Sequence, residues 1–286
     1  MRPPRSSSMG GVLAIMLASS LATVAQAPSP PLPDIRQLMR EVVAHQSQIE
    51  KIRENYTYNS LQTIQEIDSD GKIKKTETEE RNDFFVNGHL IERIEKKDGQ
   101  ALSGRDREKE NDRVAKLIEK AQKTPASQFL ENQDLSVSQL LDLIDVRNPR
   151  SILFRGRPTF VFDFIGRKDA KTHGLAEDAT KKLQGTVWID EADRQVARLQ
   201  VSFNENFRIA GGLFATVEKG SNFEFDQAPV EGGLWLPTGG EANMRARLLL
   251  LKSLRQHLAE RDFGFQKFQV KTQQSNEARV APAARP

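Results

Sequence analysis

The sequence predicts an α+β fold that is mainly β: a curved antiparallel sheet with helices packed on its concave face. Three observations predict it. From Gln184 to Phe203 the chain reads as a β-hairpin. Val187, Trp188 and Ile189 lead into the polar tetrad Asp190, Glu191, Ala192 and Asp193, after which Ala197, Leu199, Val201 and Phe203 alternate with Val196, Arg198, Gln200 and Ser202. Hairpin-type turn signals recur at Asp68 to Gly71, at Asn87 and Gly88, and at Asp98 and Gly99. Apolar residues at helical spacing are confined to a few segments, one of them short and greasy enough to need cover from a sheet.

At the start, Met1 to Ala27 carries Arg2 and Arg5, an apolar run from Gly10 to Leu21 and a small-residue segment from Ala22 to Ala27, the layout of a secretory signal peptide. Cleavage is expected after Ala25, with Thr23 two residues before it. The apolar run falls short of the ~20 residues that span a bilayer. An exported, periplasmic or secreted protein with no stable transmembrane anchor after cleavage is therefore expected. The chain has no cysteine, so it has neither a disulfide framework nor a lipidated cysteine. The 42 basic residues stand against 39 acidic ones, and the balance is closer still without Arg2 and Arg5. The sequence pI near 9.0 thus overstates the charge of the mature chain, and no nucleic-acid partner is expected.

Residues 28 to 33, PSPPLP, form a stiff linker. Asp34 is a plausible N-cap for an amphipathic helix carrying Ile35, Leu38, Met39 and Val42, continued less perfectly by Ile49 and Ile52. Asn55 to Leu102 reads as an antiparallel meander. Between Arg105 and Lys123, Val114, Leu117, Ile118 and Ala121 make a helical stripe in a charge-rich segment. A shorter helix is expected from Ser136, with Gln139 completing a capping box and Val137, Leu140, Leu141 and Ile144 forming its apolar face until Asn148 and Pro149 stop it. Residues 105 to 148 thus read as a helical insertion, and its short apolar helix is expected to pack into the concave side of the sheet.

The strand Thr159 to Gly166 puts Phe160, Phe162 and Phe164 on one face and Val161, Asp163 and Ile165 on the other. Lys168 to Lys182 is a polar excursion without a sustained period. After the central hairpin come a loop at Gly211 and Gly212, a strand pair of Leu213 to Val217 with Asn222 to Phe225, and a compact turn and edge-like segment at Gly232 to Thr238 that tolerates Pro237. For Met244 to Leu258 the spacing fits both a helix and a strand. Phe263, Phe265, Phe268 and Val270 suggest a closing strand. The single domain is expected over 34 to 272, with a disordered tail over 273 to 286.

Catalytic signatures are absent. His45, His89, His173 and His257 are scattered without metal-ligand spacing, and there is no thiolate, nucleophile elbow, P-loop or dinucleotide fingerprint. The acidic pairs Glu191 with Asp193 and Glu224 with Asp226 read as solvated charge rather than as an acid and a base. The expectation is a protein that is not an enzyme, with no cofactor and no metal; dispersed carboxylates in a cleft with strongly shifted pKa values would be needed for a hydrolase. Arg245, Arg247, Lys252 and Arg255 beside the leucine run read either as a rim for anionic headgroups or a partner protein, or as the solvated side of an ordinary amphipathic element.

The early helix, the meander, the apolar helix, the GTVWIDEADRQVARLQV hairpin and the GGLWLPT segment together resemble the periplasmic lipoprotein-carrier superfamily (LolA/LolB-like), of which outer-membrane lipoprotein-sorting proteins are members. Gly185 to Phe203 and Leu234 to Thr238 match in detail. The resemblance implies an incomplete antiparallel β-barrel with helices across its mouth and an apolar cavity that accepts acyl chains. The implied ligand is a lipid acyl chain or a lipidated protein. The candidate lining is Leu140, Leu141 and Ile144 with Phe160, Phe162, Phe164, Leu199, Val201, Phe203, Phe223 and Phe225, residues that would otherwise simply pack together. The alternative is an envelope protein-interaction or sensor module on the same fold.

Overall fold

The computed structural model describes residues 34–126, 135–230, 232–249 and 252–268. The expected signal peptide, the linker and the tail lie outside the described residues. Helix α1 (Ile35–Arg53) leads into β1 (Tyr56–Ile67), β2 (Ile73–Val86), β3 (His89–Lys97) and β4 (Gln100–Ala101); α2 (Gly104–Lys123) and α3 (Val137–Asp142) precede β5 (Ile144–Phe154) and β6 (Arg157–Gly166). A short α4 (Leu175–Thr180) is followed by β7 (Leu183–Asp190), β8 (Val196–Phe203), β9 (Phe207–Ile209), β10 (Ala215–Val217), β11 (Asn222–Pro229), β12 (Trp235–Leu248) and β13 (Lys252–Lys267). The fold is mainly β, as expected.

The strands form one antiparallel sheet in the order β4-β3-β2-β1-β13-β12-β11-β8-β7-β6-β5, with β9 and β10 as a side ladder on β12. The sheet does not close on itself. Its middle joins the two ends of the domain, because β13 lies between β1 and β12.

Local chemistry explains the elements. The carboxylate of Asp34 caps α1 by accepting from the Gln37 amide at 2.8 Å, and Leu38, Val42 and Gln46 share its buried face. Ser136 and Gln139 form the expected capping box on α3. In the central hairpin Asp190 accepts from the Ala192 and Asp193 amides, which fixes the turn as an Asx-type bend before Arg194 at φ 54°. At Gly185 a Cβ would lie 1.9 Å from the Gln200 carbonyl and 2.7 Å from the Phe164 ring, so glycine lets that ring lie flat across β7.

The main core sits on one face of the sheet. Phe160, Phe162 and Phe164 from β6 meet Val187 and Ile189 from β7, Val196, Leu199 and Val201 from β8, and Leu38, Val42, Leu140 and Leu141 from α1 and α3. Each such side chain contributes about 1.5–3 kcal/mol when fully buried. Alternation from Asp83 and Phe85 to Phe84 and Val86 puts α2 on the opposite face, over a separate cluster of Ile91, Val114 and Ala121.

Several expectations need correction. The helix that begins at Ser136 ends at Asp142, and Ile144 is the first residue of β5, paired with Gly166. A β-branched residue at the mouth of an alternating strand wins over helical spacing here, and Asn148 and Pro149 mark a register shift rather than a helix stop. Met244 to Leu258 is a strand pair: Met244, Ala246 and Leu248 line one face of β12 while Arg245 and Arg247 line the other. Ala215 to Val217 pairs with β9 and β12, not with Asn222 to Phe225, which runs between β8 and β12. The segment around Pro237 is not a sheet edge. Pro237 sits opposite Gln227 at a register shift, and β13 joins β12 only from Gly239, so the missing amide leaves no partner bare. The polar excursion contains the single turn and a half of α4.

Candidate ligand-binding site

The face that carries the core is apolar at one end and charged at the other. Cross-strand pairing places Val201, Phe223, Ala242, Leu258 and Ile64 in one row, and Leu199, Phe225, Gly240, Glu260 and Gln62 in the next. The apolar half is therefore built by β6, β7, β8 and β11, and the polar half by β13, β1 and β2.

In the apolar half all eleven candidate lining residues come together in one cluster. Leu140, Leu141, Ile144, Phe160, Phe162, Phe164, Leu199 and Val201 are buried in it, while Phe203, Phe223 and Phe225 are only partly buried against it. The three phenylalanines thus form a partly buried margin of the cluster on β8 and β11. Two polar contacts tie the cover down. Glu50 on α1 accepts from the Ser138 amide at 3.0 Å and from its hydroxyl at 2.5 Å, joining α1 to α3. Gln227 on β11 donates from its amide to the Gln46 side chain at 3.3 Å and to the Val196 carbonyl at 3.0 Å.

In the polar half, Arg81 is a hub. Its guanidinium donates to Glu79 at 2.6 Å, to Glu92 at 3.1 Å and to Gln62 at 2.7 Å, and Gln62 in turn donates to Glu260. Two acids on the strands flanking β1 escape this pairing. Burial pushes Asp83 up to about 7, with Glu92 and Glu260 adding to the effect and Ser60 and Arg81 opposing it. Burial, then the nearby Glu260 and Asp83, push Asp262 to about 7 as well, against the pull of Arg53. Burial also raises the Tyr58 phenol, whose ring stacks on Phe265 at 4.9 Å.

Of the acidic pairs singled out in the sequence, Asp193, Glu224 and Asp226 are ion-paired. Asp193 accepts from Arg157 at 2.7 Å and from the Trp235 indole at 3.0 Å; Asp226 accepts from both Arg155 and Arg198. Burial works to raise Asp190, yet the Arg157 guanidinium and the turn amides outweigh it and hold the carboxyl below its usual range. Asp83 and Asp262 were missed because each is one acid in a charged strand. The available signal was their position, on the same alternating face as buried Tyr58 and Ser60. Among the described residues no group of three or more His, Asp or Glu side chains is arranged to hold a metal ion. Nor is any helix among them long and apolar enough to cross a membrane.

No protein-family model matches the chain, and no curated protein matches it in sequence. Among solved structures it is similar to a domain described as an outer membrane lipoprotein-sorting protein from Vibrio parahaemolyticus, at 11% identity and a TM-score of 0.35, covering 80% of this chain and 93% of that one. It is similar also to a DUF1329 family protein from Desulfovibrio piger, at 9% identity and a TM-score of 0.36, over 82% of this chain and 94% of that one. A third similar structure is the MucA/MucB complex of Pseudomonas aeruginosa, at 10% identity and a TM-score of 0.23, over 79% of this chain and 99% of the matched one. The likeness is one of outline. The open antiparallel sheet carries α1 and α3 on its core face, the arrangement expected from the sequence.

Proposed function

We propose that the protein is an exported, non-catalytic binding or carrier protein that takes up an acyl chain, of a lipid or a lipidated partner, along the apolar half of its core face. The observation that carries this reading is that Phe203, Phe223 and Phe225 continue the buried cluster as partly buried side chains on β8 and β11. A guest chain laid there gains roughly 0.8 kcal/mol per buried methylene with no covalent chemistry. The cover is two helices pinned by the Glu50–Ser138 and Gln46–Gln227 contacts, a smaller barrier than a closed barrel wall.

The test is native mass spectrometry of the protein purified without detergent, followed by solvent extraction and titration with a fluorescent fatty acid. Phe162 and Leu141 belong to the core and would unfold the chain if made polar, so the informative variant is Phe223→Ser with Phe225→Ser. Stoichiometric acyl mass lost in that variant, with circular dichroism unchanged, supports the reading. A clean apo mass with no fatty-acid uptake sinks it.

A second reading has its own observation. β5 is an edge strand of the sheet, and Ile152 and Leu153 at its end are 42% and 74% exposed. An extended segment of a protein partner would add to that edge. Protein that co-purifies in place of lipid and is released by Leu153→Asp would favour it.

A further inference from the structure

At the end of β12, beside the segment that leads into β10, three large apolar side chains are left mostly exposed. Leu213, Phe214 and Leu249 are 64%, 64% and 66% exposed, and the Leu249 amide donates to the Phe214 carbonyl at 3.0 Å, which holds the two segments side by side. Behind them, one face of the β12–β13 hairpin is cationic. Arg208, Thr216 and Arg247 lie in a row across β9, β10 and β12, and Arg245 stands directly opposite Arg255 across β12 and β13. Like charges in that position destabilise a sheet unless an anion compensates them. Here the protein supplies none at Arg245 and Arg255: their guanidiniums donate to the carbonyls of Lys219 and Ser69, and among the described residues neither forms an ion pair. Gly220, at φ +83°, makes room for the first of them, since a Cβ there would sit 2.3 Å from Arg245 Nη2. Glu218 compensates Arg247 at 3.3 Å. Arg245, Arg255, Asn222 and Asn243 line an open pocket of about 340 Å³, a set of donors suited to phosphate oxygens.

We propose that the end of β12, with the neighbouring Leu213 and Phe214, docks the protein on the surface of an anionic phospholipid membrane, with Leu213, Phe214 and Leu249 below the headgroups and Arg245, Arg247 and Arg255 among the phosphates. The spacing fits. Arg247 and Arg245 lie two and four residues behind Leu249, or roughly 7 and 14 Å along the strand. An interfacial element sinks its apolar part ~5–10 Å into the headgroup and acyl boundary. A strand entering at a slant therefore carries both arginines through the headgroup layer. Charge selects the partner, since basic residues gain from an anionic surface and an uncharged one offers them nothing. The inference does not depend on whether the core face takes up an acyl chain.

The experiment is flotation of the full-length protein with vesicles of phosphatidylcholine alone or with phosphatidylglycerol added, in low and in high salt. Binding is expected on the anionic vesicles, weakened by salt, and reduced about tenfold or more both in Arg245→Gln/Arg255→Gln and in Leu213→Ser/Phe214→Ser/Leu249→Ser. These side chains are at the surface, so the fold is expected to be kept, which circular dichroism checks. As an independent readout, Ser253→Cys supplies a unique thiol for an environment-sensitive dye, because the chain has no cysteine. Its emission is expected to shift to the blue on anionic vesicles, while a dye at Lys116→Cys on α2 stays unchanged. Equal binding to neutral vesicles, full binding by either variant, or no binding overturns the proposal. So does arginine-dependent capture of inorganic phosphate without vesicle association.

Discussion

Replacing Asp83 by asparagine should stabilise the protein, and more so as pH rises. Asp83 is 2% exposed, and its carboxyl holds its proton up to about 7, where an unfolded chain releases it near 3.8. Between those values the folded state binds more protons than the unfolded one, so stability falls as pH rises through this window and is flat above it. At about 1.4 kcal/mol for each pH unit, the loss from Asp83 alone is on the order of 4 kcal/mol by about pH 8. An asparagine amide resembles the protonated acid in shape and carries no charge. Wild type and Asp83→Asn should therefore have nearly equal stability at about pH 3.5, below the unfolded value, and should diverge through neutrality in favour of the variant. The groups facing Asp83 set the ceiling: Asp262, Glu260 and Glu92 share the cost, and Arg81 relieves part of it. Urea unfolding followed by circular dichroism across this pH range measures the difference. Parallel pH profiles for the two proteins, or a variant less stable than wild type above neutrality, would refute the account.

Other perturbations have equally definite outcomes. Asp262→Asn should also stabilise above neutrality, and the double variant should gain less than the sum of the two, since each acid raises the other; the same urea series reads the shortfall. Arg157→Ala should act with the opposite sign, because Asp190 is held low: about 2 kcal/mol is lost at neutral pH, and the deficit shrinks as acid protonates Asp190, as thermal melts at neutral and acid pH would show. Glu50→Ala removes two charge-assisted hydrogen bonds to Ser138 and should cost about 2 kcal/mol, with hydrogen exchange rising first in α3. Gly185→Ala drives a methyl into the Gln200 carbonyl and the Phe164 ring, and should lower the melting temperature by about 10 °C or more, or prevent folding.

What the sequence revealed and what it hid follow from the range of the interactions involved. The Gln184 to Phe203 hairpin, the Phe160, Phe162 and Phe164 face and helix α1 were legible because period and turn chemistry are local. Ile144 was misplaced because four apolar residues at helical spacing continued across a boundary that only the pairing with Gly166 defines. The eleven lining candidates were recognisable as apolar residues that need a core, yet nothing local separates the buried Phe162 from the partly buried Phe223. The charged half of the face was hidden for the same reason. Arg81, Glu79 and Asp83 look like an exposed, charge-rich strand until β1 and β13 close beside them.

The position of β13 also shapes how the molecule comes into being. As the chain emerges, β1 to β4 and β5 to β12 each contain their own hairpins, but the two groups share no strand pairing until residues 252–267 slot between β1 and β12. The strand made after all the others in this sheet is thus its keystone. Long-range closure of this kind is slow to nucleate. Until β13 is made and free to pair, the chain remains a pair of incomplete sheets. Truncation before Lys252 would leave two meanders with bare edges, a product destined for aggregation rather than a shorter version of the same protein.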